Sequence, residues 1–195
     1  MISEWVREKT RRFLEPLAQL MGRAQISPNL LTMIGLLLNM GVAYLLARGQ
    51  LRIGGSLLTI AGLCDALDGA LARSKGRSSH FGAFLDSTLD RFSEAIIYLG
   101  LLIFCLGRGA RLDSLLVYIA IVGSLIVSYT RARAEGLGIE CKVGLLTRFE
   151  RIVVLILGLL TQRLTIALWI LAVLSLFTAL QRIYHVWRVT KHTSQ

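Results

Sequence analysis

Long apolar stretches separated by short polar breaks make up most of this sequence. Each stretch is close to the roughly 20 apolar residues that a helix needs to cross a hydrocarbon core about 30 Å thick. The pattern therefore predicts six transmembrane helices with short connections. Their expected bounds are about 29–48, 52–73, 81–107, 112–135, 144–162 and 164–188.

The first residues follow a different pattern, in which apolar and basic side chains alternate. The segment 3–20, SEWVREKTRRFLEPLAQL, places aromatic and aliphatic residues among four arginines and lysines. Such an amphipathic helix lies along the membrane interface instead of crossing it. Ser27-Pro28-Asn29 then interrupts the chain, because the residue before a proline avoids helical angles. We therefore expect an interfacial helix ahead of the first span.

The composition is that of an all-α integral membrane protein. Of the 195 residues, 54% are hydrophobic and 17% are charged, which is more apolar than a soluble core requires. We expect one domain, 1–195, with an interfacial helix and connector (1–28) and a six-helix transmembrane bundle (29–190). The three cysteines have unrelated spacings and no CxxC pair, which predicts neither a disulfide framework nor a zinc site.

Basic residues are unevenly distributed along the predicted topology. The formal net charge is +10, and 17 of the 22 Lys and Arg fall on the side that carries both termini. Because Lys and Arg accumulate on the cytoplasmic side, we expect a multi-pass protein of the cell membrane with this face in the cytoplasm. The charge is spread over loops without a nucleic-acid module, which predicts lipid headgroup or phosphate partners and no nucleic acid.

Four of the five aspartates in the chain lie within residues 65–90. Asp65 and Asp68 are three residues apart at the end of the second predicted helix, so the two side chains share one helix face. Asp86 and Asp90 are four apart at the start of the third helix and also share a face. Because a short loop joins the two helices, we expect the four carboxylates to converge near the cytoplasmic side.

Clustered carboxylates repel one another, so this arrangement predicts a compensating cation. Ligand sets of carboxylates without His or Cys favour Mg²⁺, Mn²⁺ or Ca²⁺ over zinc. Two helices with such ligands could hold two ions, the arrangement used for displacement at phosphorus. The alternatives are a solvated loop face that pairs with nearby arginines and, from another class, a divalent-cation channel or transporter.

The same residues form a longer pattern: Asp65-x2-Asp68-Gly69-x2-Ala72-Arg73-x8-Gly82-x3-Asp86-x3-Asp90. This pattern resembles the complete signature of the CDP-alcohol phosphatidyltransferase family, and every fixed position matches. The resemblance implies a homodimeric enzyme in the bilayer that moves a phosphatidyl group from a CDP-diacylglycerol-type lipid to an alcohol and releases CMP. An ether-linked lipid donor is equally compatible with the pattern.

The resemblance also implies roles for individual residues. The four aspartates, Asp65, Asp68, Asp86 and Asp90, would bind two Mg²⁺ ions, with Mn²⁺ as an alternative, and Asp90 would also act as the general base. The cytidine nucleotide of the donor would be contacted by Asn29, Thr32, Gly69, Arg73 and Ser79.

The acceptor alcohol is predicted from a basic cluster over residues 128–154. A neutral alcohol would not need so many cations, whereas an alcohol that already carries a phosphate would. The stretch YTRARAEG resembles the branch that makes phosphatidylinositol phosphate, or its archaeal ether-lipid counterpart, from inositol 1-phosphate (1D-myo-inositol 3-phosphate). By that resemblance the acceptor phosphate would be held by Arg131, Arg151 and Arg182, supported by Arg133 and Arg148. The alternative acceptor is glycerol 3-phosphate, as in a phosphatidylglycerophosphate synthase.

Overall fold

The chain is described by a computed structural model that covers the backbone of residues 28–74 and 80–193 and the side chains of residues 32–65 and 80–191. Within these ranges the protein forms six α-helices and no β-strand, which confirms the all-α prediction. The helices are α1 (Pro28–Ala47), α2 (Leu51–Ser74), α3 (His80–Gly107), α4 (Arg111–Glu135), α5 (Arg148–Leu160) and α6 (Leu164–Thr193). The interfacial helix predicted over 3–20 lies outside the described residues and stays a prediction.

Two compact units divide the chain, Met1–Gly100 and Leu101–Gln195. The first unit contains α1, α2 and most of α3, and the second contains the end of α3 with α4, α5 and α6. The assignment of 1–195 to one domain stays a prediction.

The α1–α2 hairpin forms the centre of the first unit. Gly49, in the turn, has a φ of 76°, a left-handed conformation that glycine adopts without steric cost. The two helices pack closely directly after the turn, since a Cβ atom on Gly54 would lie 2.7 Å from the Cδ2 atom of Leu46. The buried aliphatic side chains of the two helices include Val42, Leu46, Leu58 and Ala61.

Helix α3 approaches α1 at Gly100. A Cβ atom built there would lie 2.3 Å from the carbonyl oxygen of Ala43, so that no side chain fits at this position. Small residues allow such close approach of helix backbones in membrane proteins. The glycine therefore sets how near the two helices come.

In the second unit, α4 and α5 both pack against α6. The contact with α4 is tight at Gly123, where a Cβ atom would lie 2.9 Å from the Cβ of Ser175. The contact with α5 is tight at Gly158, where the corresponding distance to the Cβ of Ala167 is 2.3 Å. The core between these helices is aliphatic and includes Leu116, Val117, Ala120, Leu155, Leu159, Leu168 and Leu171.

Two of the helices in the described ranges are long and apolar enough to cross a membrane, over Arg111–Glu135 and Leu164–Lys191. Helix α1 contributes a shorter apolar stretch, Thr32–Ala47. Helix α5 has 13 residues, which at 1.5 Å per residue is about 20 Å, less than the thickness of the hydrocarbon core. The arrangement of six spans therefore stays a prediction.

The predicted helix starts agree with the structure within one residue except for α5. This helix was expected from 144 and begins at Arg148, so the predicted start is wrong by four residues. Residues 139–147, named here the α4–α5 segment, are not helical. The reason is tertiary, because the amide nitrogen of Leu146 donates to the hydroxyl of Thr178 in α6, at 3.1 Å, and not to a helical carbonyl.

Candidate functional site

Three of the four predicted carboxylates meet in the first unit. Asp65 of α2 and Asp86 and Asp90 of α3 each direct a carboxylate oxygen to one place, and these oxygens lie within 4.8 Å of one another. Asp65 and Asp90 are half-buried, whereas Asp86 is exposed. The site is thus open to solvent on the Asp86 side.

Local helix geometry explains this convergence. Asp86 and Asp90 are separated by one turn of α3, which places both side chains on one face. The nearby hydroxyls of Ser87 and Thr88 donate to the carbonyl oxygen of Phe84, at 2.9 and 2.8 Å, and so serve the backbone of their own helix. The groups that this face of α3 presents to a cation are therefore the carboxylate oxygens of Asp86 and Asp90.

The donor set fits a hard divalent cation. Three carboxylates whose oxygens lie within 4.8 Å of one another concentrate negative charge that a cation would neutralise. Oxygen ligands are those that Mg²⁺, Mn²⁺ and Ca²⁺ prefer, and Mg²⁺ characteristically combines a few carboxylates with water and substrate phosphate oxygens. This geometry can therefore bind a metal and leave positions for a phosphate-bearing substrate.

Several predicted residues have side chains outside the described residues. These are Asn29, Asp68, Gly69, Arg73 and Ser79. Of the remaining predicted nucleotide contacts, Thr32 is half-buried near the start of α1.

Glu94 is a carboxylate of α3 to which the sequence pattern assigned no role. It lies four residues after Asp90, so it is on the same side of the helix one turn further on. The side chain is buried, with 8% of its surface exposed. The family signature alone does not identify this buried carboxylate one helical turn beyond the cluster.

The predicted arginines differ strongly in burial. Arg151 and Arg182 are buried in the second unit, with 1% and 3% of their surface exposed. Arg148 is half-buried, and Arg133 is exposed. Burial of two cations in an apolar bundle is costly unless they are hydrogen-bonded, and both make such bonds.

Arg182 joins two elements through backbone oxygens. Its Nε donates to the carbonyl oxygen of Val143 at 3.0 Å, and an amino nitrogen donates to the carbonyl oxygen of Val127 in α4. Arg151 donates to the carbonyl oxygen of Leu146 at 3.3 Å. Arg131 and Arg151 are close enough to Arg182 for their positive charges to repel its positive charge. The second unit therefore concentrates positive charge around the α4–α5 segment.

Two exposed basic residues of this region, Arg131 and Lys142, pair with acids. Arg131 forms an ion pair with Glu135 one turn later, at 2.7 Å, and both side chains are about half exposed. Lys142 pairs with Glu140, and this hydrogen bond lowers the pKa of the Glu140 carboxyl below its usual value. Because Lys142 and Glu140 are fully exposed, their pair adds little to stability.

One face of α6, named here the docking face, holds the α4–α5 segment, and the sequence reasoning assigned a role only to its Arg182. It consists of Thr178, Arg182 and His185. His185 Nε2 lies 3.2 Å from the carbonyl oxygen of Glu140, and the other two residues reach the segment as described above. The signal was present, since polar residues spaced by four and three interrupt an otherwise apolar helix and so share one face.

Comparison with known proteins agrees with the site. A sequence model of the CDP-alcohol phosphatidyltransferase family matches residues 25–187. The archaetidylinositol phosphate synthase of Methanothermobacter thermautotrophicus is 40% identical over 187 residues, which cover 93% of this chain and 92% of that protein.

Solved structures resemble the fold as well. The crystal structure of Mycobacterium tuberculosis phosphatidylinositol phosphate synthase with CDP-DAG bound has a TM-score of 0.83 and 32% identity, over 90% of this chain and 94% of that chain. The structure of the same enzyme in complex with manganese and citrate has a TM-score of 0.80 and 31% identity, over 89% and 88% of the two chains. The carboxylate cluster, the family match and these similarities together establish that the chain belongs to the CDP-alcohol phosphatidyltransferase family.

Proposed function

We propose that this protein transfers a phosphatidyl-type group from a CDP-linked lipid to the hydroxyl of a phosphorylated alcohol and releases CMP. The observation that carries the proposal is the convergence of Asp65, Asp86 and Asp90, with carboxylate oxygens within 4.8 Å of one another. Membership of the CDP-alcohol phosphatidyltransferase family supports this reaction. So does the structural similarity to an enzyme that was solved with CDP-DAG bound.

The proposed cofactor is a pair of Mg²⁺ ions held by the three clustered carboxylates and by Asp68. The similarity to a structure solved with manganese supports the use of a divalent cation. When bound, the ions supply positive charge that neutralises the pyrophosphate of the donor and the departing CMP. Asp65 and Asp90 are half-buried, so each carboxylate is partly shielded from solvent.

Asp90 is the proposed general base. Its carboxylate accepts the proton of the acceptor hydroxyl while that oxygen forms a bond to the β-phosphorus of the donor. The bond between this phosphorus and the oxygen that bridges it to the α-phosphorus breaks, and the electron pair leaves with CMP. The proton then passes from the Asp90 carboxyl to solvent, which restores the carboxylate.

Recognition of the donor is assigned to residues of the family pattern. We propose that the cytidine nucleotide contacts Asn29, Thr32, Gly69, Arg73 and Ser79. Glycine at position 69 would let a phosphate approach the helix backbone, since it carries no side chain. The lipid chains of the donor would remain in the bilayer.

The proposed acceptor is inositol 1-phosphate, which would give phosphatidylinositol phosphate or its ether-lipid counterpart. Its phosphate would be bound by Arg131, Arg151 and Arg182, with Arg133 and Arg148 in support. The closeness of Arg131 and Arg151 to Arg182 supports this assignment, because several guanidinium groups near one another attract a phosphate. The similarity to an archaetidylinositol phosphate synthase points to the same acceptor.

The protein is proposed to act as a homodimer in the cell membrane, with its site open to the cytoplasm. Helices α4 and α6 are apolar and long enough to cross the bilayer. The accumulation of Lys and Arg on the side of the site supports the cytoplasmic orientation.

The reaction is tested with purified protein, Mg²⁺ and CDP-diacylglycerol. Inositol 1-phosphate, glycerol 3-phosphate, serine and free inositol are supplied separately, and CMP and labelled lipid are measured. We expect CMP release to depend on Mg²⁺ and to be greatest with inositol 1-phosphate. Turnover of glycerol 3-phosphate alone would overturn the acceptor, and Mg²⁺ flux into vesicles without CMP release would favour a channel.

Asp90→Asn tests the catalytic assignment, because it removes the base while preserving size. We expect at least a 100-fold loss of turnover. The matched control is Asp113→Asn in α4, whose carboxylate accepts a hydrogen bond from Thr165 at 3.2 Å and belongs to no carboxylate cluster among the described residues. Full activity in Asp90→Asn would refute the role of this residue.

A further inference from the structure

The peptide groups on both sides of Leu146 are held by side chains from different helices. Its amide nitrogen donates to the hydroxyl oxygen of Thr178 in α6 at 3.1 Å. Its carbonyl oxygen accepts a hydrogen bond from Arg151 in α5 at 3.3 Å. Leu146 is itself buried, with 4% of its surface exposed. The backbone at Leu146 is therefore a physical link between Thr178 and Arg151.

The link is part of a longer contact between the α4–α5 segment and the docking face. Thr178 and Arg182 bind the backbone of Leu146 and Val143, and His185 lies beside the carbonyl oxygen of Glu140. The partners, at 140, 143 and 146, contact positions 185, 182 and 178 of α6, so the segment follows α6 in the opposite chain direction. Contacts at three points fix both its position and its direction.

Steric fit adds to these hydrogen bonds at Gly144. A Cβ atom there would lie 2.8 Å from the Cγ2 atom of Thr178 and 3.4 Å from Nε of Arg182. Gly144 also has a φ of 139°, outside the range that side chains adopt readily. The segment thus lies directly against the docking face, with no space for a side chain between them.

Thr178 has no place in the proposed chemistry, yet it is completely buried. Replacing its hydroxyl with a methyl group would leave the buried amide of Leu146 without its acceptor, which is unfavourable enough to displace the peptide. Displacement of that peptide would also move the carbonyl oxygen to which Arg151 donates. A change at Thr178 would therefore reach the guanidinium of Arg151 without any direct contact between the two side chains.

We infer that Thr178 is a positioning residue for the acceptor phosphate. Through the peptide of Leu146 it fixes the orientation of Arg151, and Gly144 permits the close contact on which this depends. The inference rests on the proposed function, in which Arg151 binds the phosphate of the acceptor.

The kinetic test compares Thr178→Val and Thr178→Ser in the full-length enzyme. For Thr178→Val we expect the KM for inositol 1-phosphate to rise about tenfold, with the KM for CDP-diacylglycerol and kcat within about twofold of the wild type. Thr178→Ser retains the hydroxyl and should restore the lower KM. The control is Thr59→Val in α2, whose hydroxyl donates to the carbonyl oxygen of Gly55 in its own helix at 2.9 Å.

A second measurement does not depend on activity. Cys141 belongs to the α4–α5 segment and is fully buried, and Cys105 in α3 has only 1% of its surface exposed. Maleimide labelling is followed at each cysteine by mass spectrometry of its peptide. Thr178→Val should speed the labelling of Cys141 several-fold and leave that of Cys105 unchanged, because only the segment loosens.

Gly144→Ala gives an independent route if Thr178→Val folds poorly. It should raise the same KM and expose Cys141. Gly138→Ala is its control, since Gly138 also has a positive φ, of 76°, but its added Cβ would meet nothing within 4 Å. Equal effects of the two glycine variants would show that backbone strain, not docking, is responsible, and would overturn the inference.

Two further outcomes would also overturn it. One is an unchanged KM and unchanged Cys141 labelling in Thr178→Val, and the other is an equal rise in the KM of both substrates. Failure of the proposed acceptor is distinguishable, because it would appear in the wild-type enzyme as absence of turnover with inositol 1-phosphate, whatever the labelling of Cys141.

Discussion

At the scale of single residues, the protein concentrates opposite charges in two places. Asp65 and Asp90 are both half-buried, and their carboxylate oxygens lie within 4.8 Å of each other. With an effective dielectric constant of about 20, two unit charges at this distance repel by about 3 kcal/mol. Arg151 and Arg182 carry the reverse charge in the second unit and are buried. In the proposed function, each group binds an ion of opposite sign.

Asp86→Asn should raise the stability of the metal-free protein and reduce the stabilisation that metal provides. In metal-free protein it removes repulsion from Asp65 and Asp90, so we expect the Tm to rise by a few degrees. Saturating Mg²⁺ should raise the Tm of the variant less than it raises the Tm of the wild type. One ligand is weakened, so that metal binding stabilises the folded state less. Thermal unfolding over a Mg²⁺ titration checks both signs, and a parallel shift at every concentration would contradict the metal site.

At the scale of helices, glycine determines which pairs come close. Gly100 brings α3 against the backbone of α1, Gly123 brings α4 against α6, and Gly158 brings α5 against α6. In each case an added Cβ atom would lie under 3.0 Å from its neighbour. Glycines with open space around them do not limit the approach of a neighbouring helix in this way.

Gly100→Ala and Gly62→Ala form a matched pair for this idea. At Gly100 the methyl group would lie 2.3 Å from a backbone oxygen, and we expect a loss of about 1–3 kcal/mol of stability from overpacking. At Gly62 nothing lies within 4 Å, so the better helix propensity of alanine should leave stability unchanged or slightly higher. Denaturation of both variants in the same detergent measures the difference, and equal losses would refute the packing argument.

At the scale of the whole molecule, each unit carries one kind of charged cluster. The first carries the carboxylate cluster, and the second carries the buried arginines held against the α4–α5 segment. The proposed reaction needs both, since a donor pyrophosphate requires metal ions and an acceptor phosphate requires cations.

The predicted topology places the turn after α4 in the cytoplasm and the turn between α5 and α6 on the other side. Leu137→Cys and Arg163→Cys introduce exposed thiols at these two turns. In intact cells an impermeant thiol reagent should label the cysteine at 163, whereas the cysteine at 137 should react only after permeabilisation. Labelling of the cysteine at 137 in intact cells would reverse the assigned orientation.

The sequence predicted much of this architecture because its signals are local. Apolar length defines a helix in a membrane, and short breaks define its ends, so the predicted starts of α1 to α4 and α6 lie within one residue of those observed. The start of α5 could not be read in this way. Residues 144–147 are apolar enough for a helix, but Leu146 and Val143 are bound by side chains of α6 that lie far along the chain.

The features of the candidate site also separate into those that depend on local sequence and those that depend on tertiary contacts. By itself the sequence determined the carboxylate pattern and the family resemblance, because residues three or four apart share a helix face whatever the surrounding fold. Only the tertiary structure decided that Arg151 and Arg182 are buried and that Thr178 and Gly144 hold the α4–α5 segment. These features depend on contacts between residues more than 30 positions apart or on solvent exclusion by the packed helices, and neither is encoded in local spacing.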